Sequence, residues 1–224
     1  MKHHDISNQP SRALRTELVF ILDRSGSMTG LEADTIGGYN NLIAKQQKEA
    51  GECRLTTVLF DNQYELLHDR VNLKDVSHMT EREYWVRGST ALLDAIGITI
   101  QRIAAAQKYA SPGQKADKVL FVITTDGMEN ASHEYTASAV RRMIEEEKEK
   151  YGWEFLFLGA NIDAVETAAG FGIDASRAVN YHSDSRGTKL NYETVSKAVS
   201  HMRACGSICD DWSAAIDEDY QSRG

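Results

Sequence analysis

The sequence predicts an α/β domain in three layers, with helices on both faces of a mainly parallel central sheet that has one antiparallel edge strand. Three observations lead there. Residues 18–22 (Leu-Val-Phe-Ile-Leu) and 119–123 (Val-Leu-Phe-Val-Ile) are continuous apolar runs without alternation, the pattern of strands buried on both faces. Each run is followed by a polar, glycine-containing loop, and stretches of helical periodicity lie between the strand signals. With 224 residues, 42% of them hydrophobic, and only two prolines, the chain can bury one sizeable core without long linkers.

The elements follow in order. Residues 1–15 are polar and lack the apolar stretch of a signal peptide, so they read as an extension ahead of a domain at 16–205. After the strand at 18–22, Ile36, Tyr39 and Ile43 recur at helical spacing and close at Ala50-Gly51. Residues 55–60 form a second strand. Only Asp61-Asn62-Gln63 separates it from 64–68, which predicts an antiparallel hairpin at the sheet edge. Residues 71–88 read as an irregular, partly helical connection.

A helix is predicted from Thr90, with Leu93, Ile96, Ile100 and Ile103 on one stripe, ended by Ser111-Pro112-Gly113. A strand at 118–125 precedes a helix at 134–150 that buries Val140, Met143 and Ile144 and turns the charge run 145–150 to solvent. Then come a strand at 154–158, a short helix at 164–169, a strand at 178–181, and a helix marked by Tyr192, Val195, Val199 and Met202. The segment 206–224 is acidic, and Trp212, Ile216 and Tyr220 recur in it every four residues. It reads as a tail or short amphipathic helix packing on its own domain.

A net charge of −8 argues against a nucleic-acid binder. No window approaches the ~18 apolar residues of a membrane span, and the protein is expected in the cytoplasm. The cysteines, Cys53, Cys205 and Cys209, are odd in number and lack metal-ligand spacing. Cys53 reads as a small buried hydrophobe, while Cys205 and Cys209 have the four-residue spacing that could place them on one helix face but are not read as a functional pair.

The chemistry concentrates at strand ends. Asp23-Arg24-Ser25-Gly26-Ser27 follows the first apolar run and places a carboxylate and two hydroxyls two residues apart. Oxygen ligands of this kind suit a hard divalent cation, although the string alone is equally a plain Ser/Gly loop or helix cap. Two distant pieces join it: Gly88-Ser89-Thr90 opening a helix, and Thr125-Asp126-Gly127 after a strand. In open α/β sheets, sites form outside the carboxyl ends of the strands, where Asp23 and Asp126 both fall.

This three-part pattern resembles the von Willebrand factor type A (vWA) domain, whose metal-ion-dependent adhesion site (MIDAS) is written D-x-S-x-S, a distant Thr and a distant Asp. The likeness spans about residues 17–181 and implies a Rossmann-like vWA fold. It implies that Ser25 and Ser27 bind Mg²⁺ directly, with Mn²⁺ or Ca²⁺ as alternatives. Thr90 would ligate directly or through water depending on state, and Asp23 and Asp126 would act mostly through water and hydrogen bonds. The partner implied is another protein supplying an Asp or Glu carboxylate, so the chain is expected to bind and not to catalyse.

Around this set, Gly26 is read as letting the backbone bend between the serines, and Ser89 as capping the helix from Thr90. Arg24 is read as a solvated surface residue, Asp61 as the initiator of the hairpin turn, Glu129 and Asn130 as the rim of the site, and His133 as surface. The rival reading is a Mg²⁺-dependent hydrolase or phosphatase, since the layout resembles haloacid dehalogenase enzymes. Those need an acid/base Asp where Ser25 stands, and Lys118 opens its strand instead of ending it. No G-x-S-x-G or G-x-G-x-x-G string is present.

Overall fold

The computed structural model describes residues 13–223, so the extension read at 1–15 lies outside the described residues except for its last three positions. In chain order the elements are β1 (Thr16–Asp23), α1 (Glu32–Gln46), β2 (Cys53–Phe60), β3 (Tyr64–Asn72), α2 (Leu92–Tyr109) and β4 (Lys118–Thr125). There follow α3 (Ala137–Tyr151), β5 (Glu154–Gly159), α4 (Ala164–Gly170), β6 (Ala178–Asn180), α5 (Ser185–Cys205) and α6 (Ala214–Arg223). The strands form one sheet in the order β3-β2-β1-β4-β5-β6. All pairings are parallel except β2 with the edge strand β3, as the short turn at Asp61 predicts.

The apolar runs explain the layering. Along β1, Leu18, Phe20 and Leu22 enter the core under α1, α5 and α6, while Val19 and Ile21 enter the one under α2, α3 and α4. Every residue of β1 is buried, and burying one such side chain contributes ~1.5–3 kcal/mol, so both faces need a helical cover. Helix α1 ends before the expected Ala50-Gly51, and Gly51 at φ 92 turns the chain back into β2.

Three expectations shift. Helix α2 begins at Leu92 and not at Thr90. Helix α3 begins at Ala137, where the Thr136 hydroxyl accepts from Ala139 N, instead of at 134. Helix α5 starts already at Ser185 and ends at Cys205 with Gly206 left-handed (φ 78), so Cys205 and Cys209 do not share a helix face. The C-terminal segment packs on its own domain, as the sequence suggests: Trp212 and Ile216 are buried, and Trp212 Nε1 donates to the Ser176 carbonyl at 2.8 Å. Among the described residues no helix is long and apolar enough to cross a membrane.

Candidate metal centre

The carboxyl ends of β1 and β4 lie side by side because the two strands pair in parallel, Leu22 opposite Thr124. Asp23 therefore sits beside the start of the next loop. Its Oδ1 accepts from Ser25 N at 2.7 Å, and its Oδ2 accepts from Thr125 Oγ1 at 2.7 Å and Asp126 N at 3.3 Å. The first of these closes the loop into a tight turn. A single helical turn at Gly26–Met28 then brings the Ser25 and Ser27 hydroxyls to 3.0 Å from each other. Gly26 avoids the left-handed region, so the bend attributed to it is this short turn.

Thr90 reaches the same place from the other side. Its N donates to Asn130 Oδ1 at 2.9 Å and its carbonyl accepts from Asn130 N at 3.0 Å, a reciprocal clamp from the loop that carries Asp126. Gly127 shows where the hydroxyls meet: a Cβ built on it would stand 3.2 Å from Ser27 Oγ and 3.3 Å from Thr90 Oγ1. Glycine there leaves the concavity between them open. Asp23 bonds the Asp126 amide, Ser25 bonds Ser27, and Gly127 abuts the Ser27 and Thr90 hydroxyls, so the five predicted residues form one connected group, and a cleft of about 490 Å³ lined by Ser27, Asp126, Asn161 and Ser183 opens beside it.

Sequence reasoning missed the residues that hold Asp126. Its Oδ1 accepts from the Asn161 amide and its Oδ2 from the Ser183 hydroxyl, both at close range. Asn161 follows β5 with φ 56, a left-handed conformation that asparagine tolerates better than most residues. Ser183 follows β6. The signal for both was available, since each lies just past the carboxyl end of a parallel strand.

Other expectations need correction. Ser89 is exposed and caps nothing; α2 is capped from a distance, with Glu129 Oε2 accepting from Leu93 N at 2.9 Å and Ser132 Oγ from Asp94 N at 3.0 Å. Glu129 is therefore a helix cap and Asn130 a clamp on Thr90. Arg24 is fully buried, the reverse of the surface residue expected, because it pairs with Asp61 at 3.1 Å and Glu65 at 2.7 Å. Asp61 does make the turn, accepting from Gln63 N at 2.7 Å, yet it is also fully buried and takes a second arginine, Arg87, at 2.6 Å. His133 is exposed, as expected.

The electrostatics are unbalanced. Burial pushes the Asp23 carboxyl above its ordinary 3.8, opposed by hydrogen bonds from Ser25, Thr125 and the Asp126 amide. Burial also raises Asp126, against hydrogen bonds from Ser183 and Asn161, and the Asp23 charge raises it further. Among the described residues no cationic side chain contributes to either shift. Nor do three His, Cys, Asp or Glu side chains gather as a metal cluster among the described residues. The donor set here is two carboxylates and three hydroxyls around an open cradle, and that set fits a hard divalent cation able to supply the missing charge.

The sequence matches no protein-family model and none of the curated proteins. Its structure is similar to the vWF domain of the type V pili tip protein Mfa5 from Porphyromonas gingivalis, with a TM-score of 0.65 and 11% identity over 88% of this chain and 99% of that one. A mutant PilB minor pilin from Streptococcus sanguinis matches with a TM-score of 0.60 and 13% identity over 92% of this chain and 65% of that one. Proximal thread matrix protein 1 from the mussel byssus, in a form with zinc in its MIDAS motif, matches with a TM-score of 0.55 and 15% identity over 84% and 46%. This chain thus spans less than two-thirds of the pilin and less than half of the byssus protein. At these identities the likeness is one of fold, and the fold is of vWA type.

Proposed function

We propose that this vWA-type domain is a protein-binding module that uses Mg²⁺ to recognise an acidic side chain of its partner. One observation carries the reading: two buried carboxylates hydrogen-bonded only to neutral donors among the described residues lie beside linked Ser25 and Ser27 hydroxyls and the Thr90 hydroxyl, around a space that Gly127 keeps open. Ser25, Ser27 and Thr90 would hold the ion, and Asp23 and Asp126 would neutralise part of its charge. Bound there, Mg²⁺ would offer an outside carboxylate a coordination position of strong positive field. Neutral hydroxyl donors leave that field poorly quenched. Asp23, through Ser25 N and Thr125, and Asp126, through Asn161 and Ser183, are fixed in orientation before any ion arrives, as supporting hydrogen bonds do for metal ligands generally. The zinc-occupied MIDAS motif of the byssus protein supports a divalent metal at this position of the fold.

The module is read as non-catalytic, because the position two residues after Asp23 carries Ser25 where a phosphatase of the rival type would carry its acid/base. Calorimetric titration with Mg²⁺ tests the site: binding is expected for the wild type and lost in Asp23→Ala and Asp126→Ala, and undiminished affinity in either variant sinks it. Capture of partner proteins with and without EDTA tests the use of the ion, and a partner retained equally in both would remove the metal from recognition. Turnover of generic phosphate or ester substrates, abolished by Asp23→Asn, would replace binding with catalysis.

A further inference from the structure

Arg24 stands between Asp23 and Ser25 in the chain, yet its side chain leaves the cradle and is among the largest fully buried groups of the molecule. Its Nε donates to Asp61 Oδ2 at 3.1 Å, its Nη2 to Glu65 Oε2 at 2.7 Å and its Nη1 to the Glu83 carbonyl at 3.4 Å. Asp61 Oδ2 also accepts from Arg87 Nε at 2.6 Å, so one carboxylate joins two guanidinium groups from two loops. Trp85 lies against the cluster, 4.3 Å from the Arg87 guanidinium and 5.6 Å from that of Arg24.

The backbone repeats the connection. Arg87 N donates to the Arg24 carbonyl at 2.9 Å, Gly26 N to the Gly88 carbonyl at 3.2 Å, and Ala91 N to the Asp61 carbonyl at 2.8 Å. Thr90 is thus held at residues 87 and 88 on one side and at 91 on the other. Every one of these ties ends on the Asp23–Ser27 loop or on Asp61.

We propose that Asp61, with Arg24 and Arg87, is a positioning cluster that sets the separation between the Ser25 and Ser27 hydroxyls and that of Thr90. The inference rests on the metal-binding reading above. A buried ion pair is weak evidence for stability, since apolar side chains of similar volume stabilise as well; its best-attested use is to fix register. Register is what this site needs. Mg²⁺ demands near-octahedral geometry at 2.0–2.1 Å, and here two of the three hydroxyls come from one loop and the third from another. Neither loop is part of a strand or a long helix. A charge cluster shared by both fixes their separation where hydrogen bonds to solvent would let it drift.

The test compares four full-length proteins: wild type, Asp61→Asn, Arg87→Ala and, as control, Arg70→Ala, which breaks a buried ion pair with Glu17 at the opposite end of β1. Mg²⁺ affinity per folded molecule is expected to fall about 10- to 100-fold in Asp61→Asn and Arg87→Ala and to stay at the wild-type value in Arg70→Ala. A second readout needs no metal. In EDTA, hydrogen exchange at the Gly26 and Ala91 amides, measured against the globally protected core amides of the same variant, is expected to accelerate selectively in the two cluster variants and not in Arg70→Ala. Arg87, at the partly exposed edge of the cluster, keeps the test decisive if Asp61→Asn does not fold. Wild-type affinity in both cluster variants, or an equal loss in Arg70→Ala, overturns the positioning role alone. A wild type that binds no Mg²⁺ overturns the metal reading and this one with it.

Discussion

Strand β1 carries a buried carboxylate at each end, Glu17 at 0% exposure and Asp23 at 1%, and the two are treated in opposite ways. Glu17 is answered by charge: Arg70 donates through Nε and Nη2 at 2.9–3.1 Å, and Gln107 adds Nε2 at 3.0 Å. Asp23 is answered only by neutral donors, a backbone amide and a hydroxyl at 2.7 Å and a second amide at 3.3 Å. Burial raises both carboxyls, but at Glu17 an arginine charge opposes the rise and at Asp23 none does. The amino end of the strand is thus electrically complete within the chain. The carboxyl end is answered by neutral groups alone, and on this asymmetry the proposed metal site rests.

Removing the partner at the complete end has the largest expected effect. Arg70→Ala leaves Glu17 buried and unpaired, and is expected to destabilise the domain by about 3–5 kcal/mol, measured by urea unfolding. Asp23→Asn in EDTA removes a charge that has no partner, and is expected to change stability by about 1 kcal/mol or less, the scale of a neutral hydrogen bond. Equal losses in the two variants would erase the distinction between the ends.

Next in size is the effect of the ion itself. A ligand that binds only the folded state at 100 times its Kd stabilises it by about 2.7 kcal/mol. Mg²⁺ at that level is expected to raise wild-type stability by this amount and to leave Asp23→Asn unmoved, as followed by thermal unfolding with and without EDTA. An Asp23→Asn protein stabilised as much as the wild type would place the ion elsewhere.

What the sequence made legible follows the same division. The five apolar residues at 18–22 announced a strand covered on both faces, and Asp23 and Asp126 were readable as neighbours because each stands at the carboxyl end of a parallel strand, while the ligand roles of Ser25, Ser27 and Thr90 came only from the resemblance. Arg24 was not readable. Its burial depends on Asp61, 37 residues later, and nothing within the motif marks an arginine that turns away from it. The start of α2 was misplaced for a related reason: its capping groups, Glu129 and Ser132, come from a loop 36 and 38 residues away from the amides they serve, so no local cap signal exists at Ser89. Asn161 and Ser183 escaped because an asparagine and a serine in loops are common, and only the parallel order of β4, β5 and β6 brings them to Asp126.

A pH series sharpens the contrast at a smaller scale. Burial lifts the folded-state Glu17 carboxyl above its ordinary 4.5, with Arg70 opposing the rise. The native state then holds this proton to higher pH than the unfolded chain does. Its contribution to stability is present in full below 4.5 and is lost as pH rises through the folded-state value, with a slope of at most about 1.4 kcal/mol per pH unit for one group. Glu17→Gln in EDTA is expected to flatten the fall of stability with pH over this window. Asp23, Asp126 and Glu147, raised in the same direction, contribute to the slope that remains, and Asp69, Glu83, Glu146 and Asp184, lowered by their partners, oppose it. A profile unchanged by Glu17→Gln would mean that Arg70 fully offsets the burial of its partner.

The smallest expected effect concerns the orientation of one ligand. Ser183 donates to Asp126 Oδ2 from the loop after β6, and Asn161 donates to Oδ1 from the loop after β5. Each hydrogen bond has two roles: it holds the carboxylate in place and it withdraws part of its charge from an ion. Ser183→Ala removes one donor and leaves the other. The orienting role outweighs the withdrawal if Asp126 acts at a fixed distance from the ion, since a carboxylate free to rotate loses more than it gains in basicity. Mg²⁺ affinity in Ser183→Ala is then expected to fall by about 2- to 10-fold, the equivalent of about 0.5–1.5 kcal/mol for a single neutral hydrogen bond, with metal-free stability little changed. A rise in affinity would show that charge withdrawal dominates, and that the carboxyl end of the sheet is less completely pre-oriented than its neutral donors imply.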